Sequence, residues 1–135
     1  MELIDSSAWV EYLRGTGSVA HHEVRRLVHE RPTEIATTEP IIMELLAGPT
    51  DPRTVERLEQ LTAGLPLLGL QAAIDYHEAA AIYRVVRRRG ETVRKLLDCL
   101  IAAVSLRTGA TLVHCDRDFD RINSCIPDLR ARSLP

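Results

Sequence analysis

Aromatic residues are scarce in this 135-residue chain, 4% of positions against 45% hydrophobic overall. Leucine, isoleucine, valine and alanine must therefore build the core. Cysteine is nearly as rare: Cys99, Cys115 and Cys125 are odd in number and form no CxxC pair. That spacing speaks against a zinc site and against a disulfide framework, and a reduced, cytoplasmic protein is the simplest reading. No apolar run reaches the roughly 18 residues of a membrane span. The N-terminal MELIDSSAWVEYL lacks the basic start, apolar run and small-residue cleavage site of a signal peptide. The glycines are isolated, so no phosphate-cradling loop is present, and neither a Ser-His-Asp order nor a reactive-cysteine setting stands out. Excess positive charge is missing too. A formal net charge of -2 excludes a generally basic nucleic-acid binder.

The length suits one domain over residues 1–135, and no repeat, linker or low-complexity segment interrupts it. Short apolar strands are expected at Glu2–Asp5, Glu34–Thr37, Leu65–Leu70 and Ala110–Val113, with a weak last one at Leu129–Leu134. Helical segments lie between them. Asp5, Ser6 or Ser7 can cap a first helix through Trp9 and Leu13, which Gly15 breaks. Ser18 caps a second, ended at Pro32, whose His21, His22 and His29 fit a solvated polar face better than a metal site. Thr37 or Thr38 precedes a third helix with Pro40 in its first turn, and Asp51 caps a fourth. A long helix is expected over Gln71–Arg89, carrying Ala72, Ala73, Tyr76, Ala79, Ala80, Ile82, Tyr83 and Val86. Strands alternating with helices predict an α/β fold with a mainly parallel sheet of four to five strands, flanked by helices, with sites at the carboxyl ends of the strands.

Two stretches carry the chemistry. Arg84, Arg87, Arg88, Arg89, Arg94 and Lys95 fall close together, opposed locally by Glu91 alone. They read either as a solvated helix end facing the dipole or as a phosphate-contacting patch. Leu96–Leu106, LLDCLIAAVSL, is apolar or small everywhere except at Asp98. A helix buried around most of its circumference does not accept a carboxylate without compensation. The choices are a pair with Arg94 four residues earlier, the helix dipole, or a cation.

Asp98 does not stand alone. Asp5 follows the first strand, Glu44 sits among the apolar residues of the third helix, and Asp116 follows the fourth strand. Taken singly, Asp5 and Asp116 are adequate helix caps and Glu44 an adequate surface acid. Taken together, they place acids repeatedly at one edge of the sheet. Converging carboxylates raise one another's pKa values unless a hard divalent cation neutralises them, and Mg²⁺ or Mn²⁺ prefers such oxygen ligands.

The chain resembles a PIN-domain ribonuclease of the VapC toxin type over almost its full length. The residues that carry the likeness are LIDSSAWVEYL with Asp5, TTEPIIMELLAG with Glu44, and LLDCLIAAVSLRTGATLVHCDRDF with Asp98, Asp116 and Asp118. The resemblance implies a compact three-layer PIN-like fold and an acidic pocket holding Mg²⁺ or Mn²⁺. Asp5, Glu44, Asp98 and Asp116 match the catalytic quartet, with Asp5, Asp98, Asp116 and the additional acid Asp118 as the metal's ligands. Ser6 matches a small hydroxyl that supports the site from behind. Where the family often carries a hydroxyl two positions before the fourth acid, this chain has His114. The implied reaction is RNA cleavage, commonly in a tRNA or ribosomal RNA loop: Glu44 orients or deprotonates a water that attacks the phosphorus in line, leaving a 5′-phosphate and a 3′-hydroxyl. Arg87, Arg88, Arg89, Arg94 and Lys95 are the candidates for flanking phosphates.

The implied partners are the RNA, a second copy in a homodimer, and a small cognate antitoxin whose tail crosses the acidic pocket. The toxin and antitoxin would form a heterotetramer or larger assembly, which reaches promoter DNA through the antitoxin and has no membrane role. Two alternatives have readable signatures. A non-catalytic RNA-binding or adaptor PIN-like protein would have a broken quartet. A phospho-receiver or haloacid-dehalogenase-type phosphatase would need paired acids after strand one with a late lysine, or DxDx[TV]; Asp5-Ser6-Ser7 supplies neither.

Overall fold

The computed structural model describes residues 1–135. Four strands form the sheet: β1 (Glu2–Ile4), β2 (Ile35–Ala36), β3 (Thr111–His114) and β4 (Ala131–Ser133). Their order is β2-β1-β3-β4 and every pairing is parallel. Seven helices connect them: α1 (Ser6–Arg14), α2 (Val19–Glu30), α3 (Glu39–Ala47), α4 (Pro52–Ala63), α5 (Ala72–Arg88), α6 (Leu96–Thr108) and α7 (Arg117–Cys125). The β1-to-β2 and β3-to-β4 connections run in opposite directions along the sheet. With right-handed crossovers, α1–α2 and α7 then cover opposite faces.

The core is aliphatic, as the shortage of aromatics requires, with Trp9 and Phe119 its largest fully buried side chains. Leu3, Ile4, Leu112 and Val113 of the two central strands are fully buried. Strands covered on both faces read as continuous apolar runs, which is what β1 and β3 are. Helix α6 is buried at every position from Asp98 to Ser105. It ends at Gly109, whose φ of 72° turns the chain back toward β3 in a conformation that a side chain would strain.

One expected element is absent. Leu65–Leu70 is not a strand; it makes a single parallel bridge, Thr37 with Leu67. Two of its other backbone groups go to side chains: Leu70 N–H donates to the Glu39 carboxylate, and Gly69 C=O accepts from Arg107. Helix α5 forms where expected and buries a narrow stripe, comprising Asp75, Ala79, Ile82 and Val86. Ala72, Ala73, Tyr76 and Ala80 face solvent. The alanine content of α5 reports helix propensity there, not burial.

Candidate functional site

The pairing of Ile4 with Val113 brings the ends of β1 and β3 side by side. Each strand is followed at once by an aspartate that caps the next helix. Asp5 caps α1, its carboxylate accepting from Ser7 N–H at 2.9 Å and from Ser7 Oγ at 2.5 Å. The same Ser7 Oγ accepts from Cys115 N–H at 3.1 Å, which ties the two strand ends together. Asp116 caps α7 by accepting from Asp118 N–H at 2.9 Å. Capping explains why aspartate suits both positions locally. It does not explain Asp5 Oδ1, which is buried with no hydrogen-bond partner.

Glu44 and Asp98 arrive from two helices. Glu44 stands on α3 and its Oε1 accepts from Ser6 Oγ at 3.0 Å, so the hydroxyl next to Asp5 holds the third-helix acid. Asp98 lies in the first turn of α6 and is 1% exposed; its Oδ2 also lacks a partner. One carboxylate oxygen from each of Asp98, Asp116 and Asp118 falls within 4.8 Å of the others.

Electrostatics differ sharply across this cluster. Burial pushes the Asp98 carboxyl up to about 8, with Lys95 opposing and Asp5, Asp116 and Glu44 adding to the rise. Burial likewise raises Asp5 to about 6, against the two hydrogen bonds from Ser7. Asp118 goes the other way. Burial favours its neutral form, but the Arg94 N–H at 3.1 Å, the Arg94 guanidinium at 3.4 Å and Arg121 Nη1 at 2.7 Å outweigh it and hold Asp118 below the usual carboxylate range.

The compensation of Asp98 is the second surprise. Arg94 does not pair with it. Helix α6 begins at Leu96, so residue 94 lies before the helix and the four-residue helical spacing does not apply. Arg94 reaches instead to Asp116 and Asp118. The cation beside Asp98 is Lys95, whose Nζ lies 3.8 Å from Asp98 Oδ1, 3.5 Å from Glu44 Oε2 and 3.8 Å from Asp116 Oδ2. The cationic stretch is thus divided: Arg87, Arg88 and Arg89 are exposed at the end of α5, while Arg94 and Lys95 turn into the acids.

His114 is fully buried. Its Nδ1 accepts from Asp116 N–H at 3.2 Å and its ring packs on Phe119, while burial lowers its pKa and keeps it neutral. The sequence reading did not single out Ser7, Arg121 or the pocket position of Lys95 for the site. Arg121 was findable, three residues after Asp118 on one helix face. Lys95 was not, because its position depends on a turn that only the tertiary structure defines.

Five acids, from the turns after β1 and β3 and from α3, α6 and α7, three of them within one ion's reach, define a class: an α/β protein with an oxygen-lined acidic pocket at the carboxyl edge of its sheet. The buried, unpartnered Asp5 Oδ1 and Asp98 Oδ2 and the all-carboxylate donor set fit a hard divalent cation. Comparison with known proteins narrows the class. The chain matches the PIN domain family over residues 3–124. It is 56% identical to the ribonuclease VapC11 of Mycobacterium tuberculosis over 134 residues, 99% of each chain. The fold also matches a crystal structure of VapBC2 from Rickettsia felis bound to a promoter DNA fragment, with a TM-score of 0.76, 17% identity and coverage of 99% of this chain and 98% of that one. A toxin-antitoxin complex from Klebsiella pneumoniae gives a TM-score of 0.71 at 15% identity, covering 96% of this chain and 95% of that one. The chain belongs to the PIN-domain family, among its VapC ribonucleases.

Proposed function

We propose that the chain is a Mg²⁺- or Mn²⁺-dependent endoribonuclease toxin, and that Asp5, Glu44, Asp98 and Asp116 do the chemistry. The observation that carries this reading is the pocket itself: Asp98, Asp116 and Asp118 converge within 4.8 Å, and Asp98 and Asp5 each keep a buried oxygen without a partner. Asp5, Asp98 and Asp116, with Asp118 behind them, would hold the metal. When bound, it supplies charge neutralisation at the scissile phosphate and acidifies water.

The chain's own residues do the rest. Ser6 fixes Glu44 through Oε1, and Oε2, which Lys95 Nζ approaches at 3.5 Å, is the oxygen that would orient the attacking water and take its proton. In-line attack on phosphorus then releases a 3′-hydroxyl and leaves a 5′-phosphate. Asp98 sits on a helix buried on all sides, so its position is held by packing. Arg87, Arg88 and Arg89 are exposed and suited to the phosphates that flank the cleaved bond, which offsets repulsion between RNA and an acidic pocket.

The partners follow from the same reading: an RNA substrate, tRNA or ribosomal RNA in class, a second copy of the chain, and an antitoxin that brings the complex to promoter DNA. A cytoplasmic site of action belongs to the same proposal; no helix is long and apolar enough to cross a membrane. The test is incubation with total RNA and Mg²⁺ or Mn²⁺, followed by mapping of 5′ ends. Discrete 5′-phosphate ends should appear, vanish with chelator, and be absent with Asp98→Asn while its circular dichroism is unchanged. Full cleavage by Asp98→Asn overturns the assignment.

A further inference from the structure

Lys95 is the only lysine in a chain whose other cationic side chains are all arginine. It does not point into solvent as a lone surface lysine would. Its Nζ stands between Glu44, Asp98 and Asp116 at 3.5, 3.8 and 3.8 Å, so a single point charge is shared by carboxylates from three elements. The turn that carries it is anchored. Arg94, the preceding residue, gives its backbone N–H to Asp118 Oδ2 and its guanidinium to Asp116 and Asp118, and Arg121 holds Asp118 from the other side. The residue after Lys95 begins α6, and Lys95 C=O accepts from Asp98 N–H at 3.0 Å. The ammonium is therefore delivered by a backbone fixed at both ends, while the side chain remains half exposed.

Of the three acids that Lys95 approaches, Asp98 and Asp116 are proposed above as metal ligands and Glu44 as the base, and none of the distances is a tight ion pair. A compact ammonium on a flexible stem suits a place that must be both filled and vacated, which a forked, bidentate guanidinium does not. We infer that Lys95 is the resident counter-ion of the acidic pocket, seated where the divalent ion binds and expelled when that ion loads. Arg94 is the positioning residue for it: its backbone N–H and guanidinium hold Asp118 and its Nη2 reaches Asp116 at 3.3 Å, so the turn that delivers Lys95 is fastened to two of the pocket acids. This inference rests on the metal-site reading of the previous section.

Metal binding, not turnover, tests it. Titration calorimetry of metal-free protein with Mn²⁺ compares the unmodified chain with Lys95→Gln. Arg84→Gln is the control, since it removes the same charge from an exposed position on α5. Removing a competing charge at this range should tighten Mn²⁺ binding by about tenfold or more in Lys95→Gln, and leave it within about twofold in Arg84→Gln. A second measurement needs no variant. As the sole lysine, Lys95 has an acetylation rate that peptide mass spectrometry reads without ambiguity, and saturating Mg²⁺ should speed it severalfold. Unchanged or weaker Mn²⁺ binding by Lys95→Gln, an equal gain in Arg84→Gln, or a Lys95 acetylation rate that Mg²⁺ leaves alone or slows would overturn the inference. If the unmodified chain and Lys95→Gln both fail to bind Mn²⁺, the metal site itself falls and the inference with it. Binding that is present but insensitive to Lys95 removes the inference alone.

Discussion

Asp98 is a carboxylate that the folded chain prefers to keep protonated. Its pKa is pushed up to about 8 by burial, and that of Asp5 to about 6. A group whose folded-state pKa exceeds its unfolded value binds more protons when folded, so stability falls as pH rises between the two values. For the metal-free protein this window runs from near 4 to about 8 for Asp98, with Asp5 adding to its lower half. Each group contributes a slope of at most about 1.4 kcal/mol per pH unit. Thermal melts in chelator should therefore show Asp98→Asn gaining stability relative to the unmodified chain as pH rises from 5 to 8, because an amide cannot titrate, while buried His114, whose lowered pKa acts in the opposite sense, is common to both. A stability difference between the two that does not change with pH over this interval would contradict it. The anomaly at Asp98 was legible in the sequence, since a lone acid inside LLDCLIAAVSL has no bland explanation once its helix is seen to be buried. The identity of its neighbour was not legible. Counting four residues back reached Arg94, and that count holds only inside a helix, whose boundary here falls two residues later.

At the scale of elements, the part played by α6 depends on a second buried acid. Asp75 on α5 is fully buried, and Arg107 near the end of α6 grips it with two 2.8 Å hydrogen bonds, Nε to Oδ1 and Nη2 to Oδ2. The same Nη2 donates to Gly69 C=O, and Asp75 also accepts from Gln71 N–H. One bidentate pair thus clamps α5, α6 and the segment before α5. The Arg107 hydrogen bonds outweigh burial and keep Asp75 below the usual range, the opposite sense to Asp98. Removing one partner of such a pair strands the other, so Asp75→Ala should lose about 3 kcal/mol in urea denaturation. RNA cleavage per folded molecule should persist at low temperature, because Asp75 touches none of the pocket acids. A loss below about 0.5 kcal/mol would show that the pair is merely a surface contact. This clamp was invisible in the sequence: the partners are 32 residues apart, and Asp75 reads as an ordinary first-turn helix acid. The clamp also explains why Leu65–Leu70 failed as a strand, since Arg107 and Glu39 take backbone groups that a ladder would have used. The strands that position the site were legible because their apolar runs are bounded by aspartates that cap the next helix, and the same residues serve both turn and pocket.

Taken as a whole, the molecule sets an apolar groove beside its acidic pocket. Val10, Tyr12 and Leu13 of α1, Leu45 of α3, and Leu58 and Leu61 of α4 line a cleft of about 550 Å³ together with Arg14 and Arg57, and Glu44 stands in its wall. Nothing in the linear sequence announced this cleft. The apolar residues of α1, α3 and α4 read equally well as core, and only the way the three helices splay leaves Leu13 44% exposed. The adjacency matters for control. An antitoxin segment seated in the cleft would run directly to Glu44, so that inhibition and docking use one continuous surface, apolar at one end and anionic at the other. Such a segment should carry leucine- or phenylalanine-like anchors followed by a basic residue for the pocket. Leu13 is the side chain to challenge, because it lines the cleft, already meets solvent, and makes no hydrogen bond to the acids. A charge placed among apolar anchors weakens docking through desolvation. Leu13→Lys should therefore reduce affinity for the antitoxin by at least about tenfold, roughly 1.4 kcal/mol. Cleavage of RNA by the free toxin should stay unchanged, and the melting temperature should hold. Calorimetric titration of the variant with antitoxin, alongside the RNA assay, separates the outcomes. Undiminished antitoxin affinity would place the docking surface elsewhere, and a parallel loss of RNA cleavage would show that the groove belongs to the substrate.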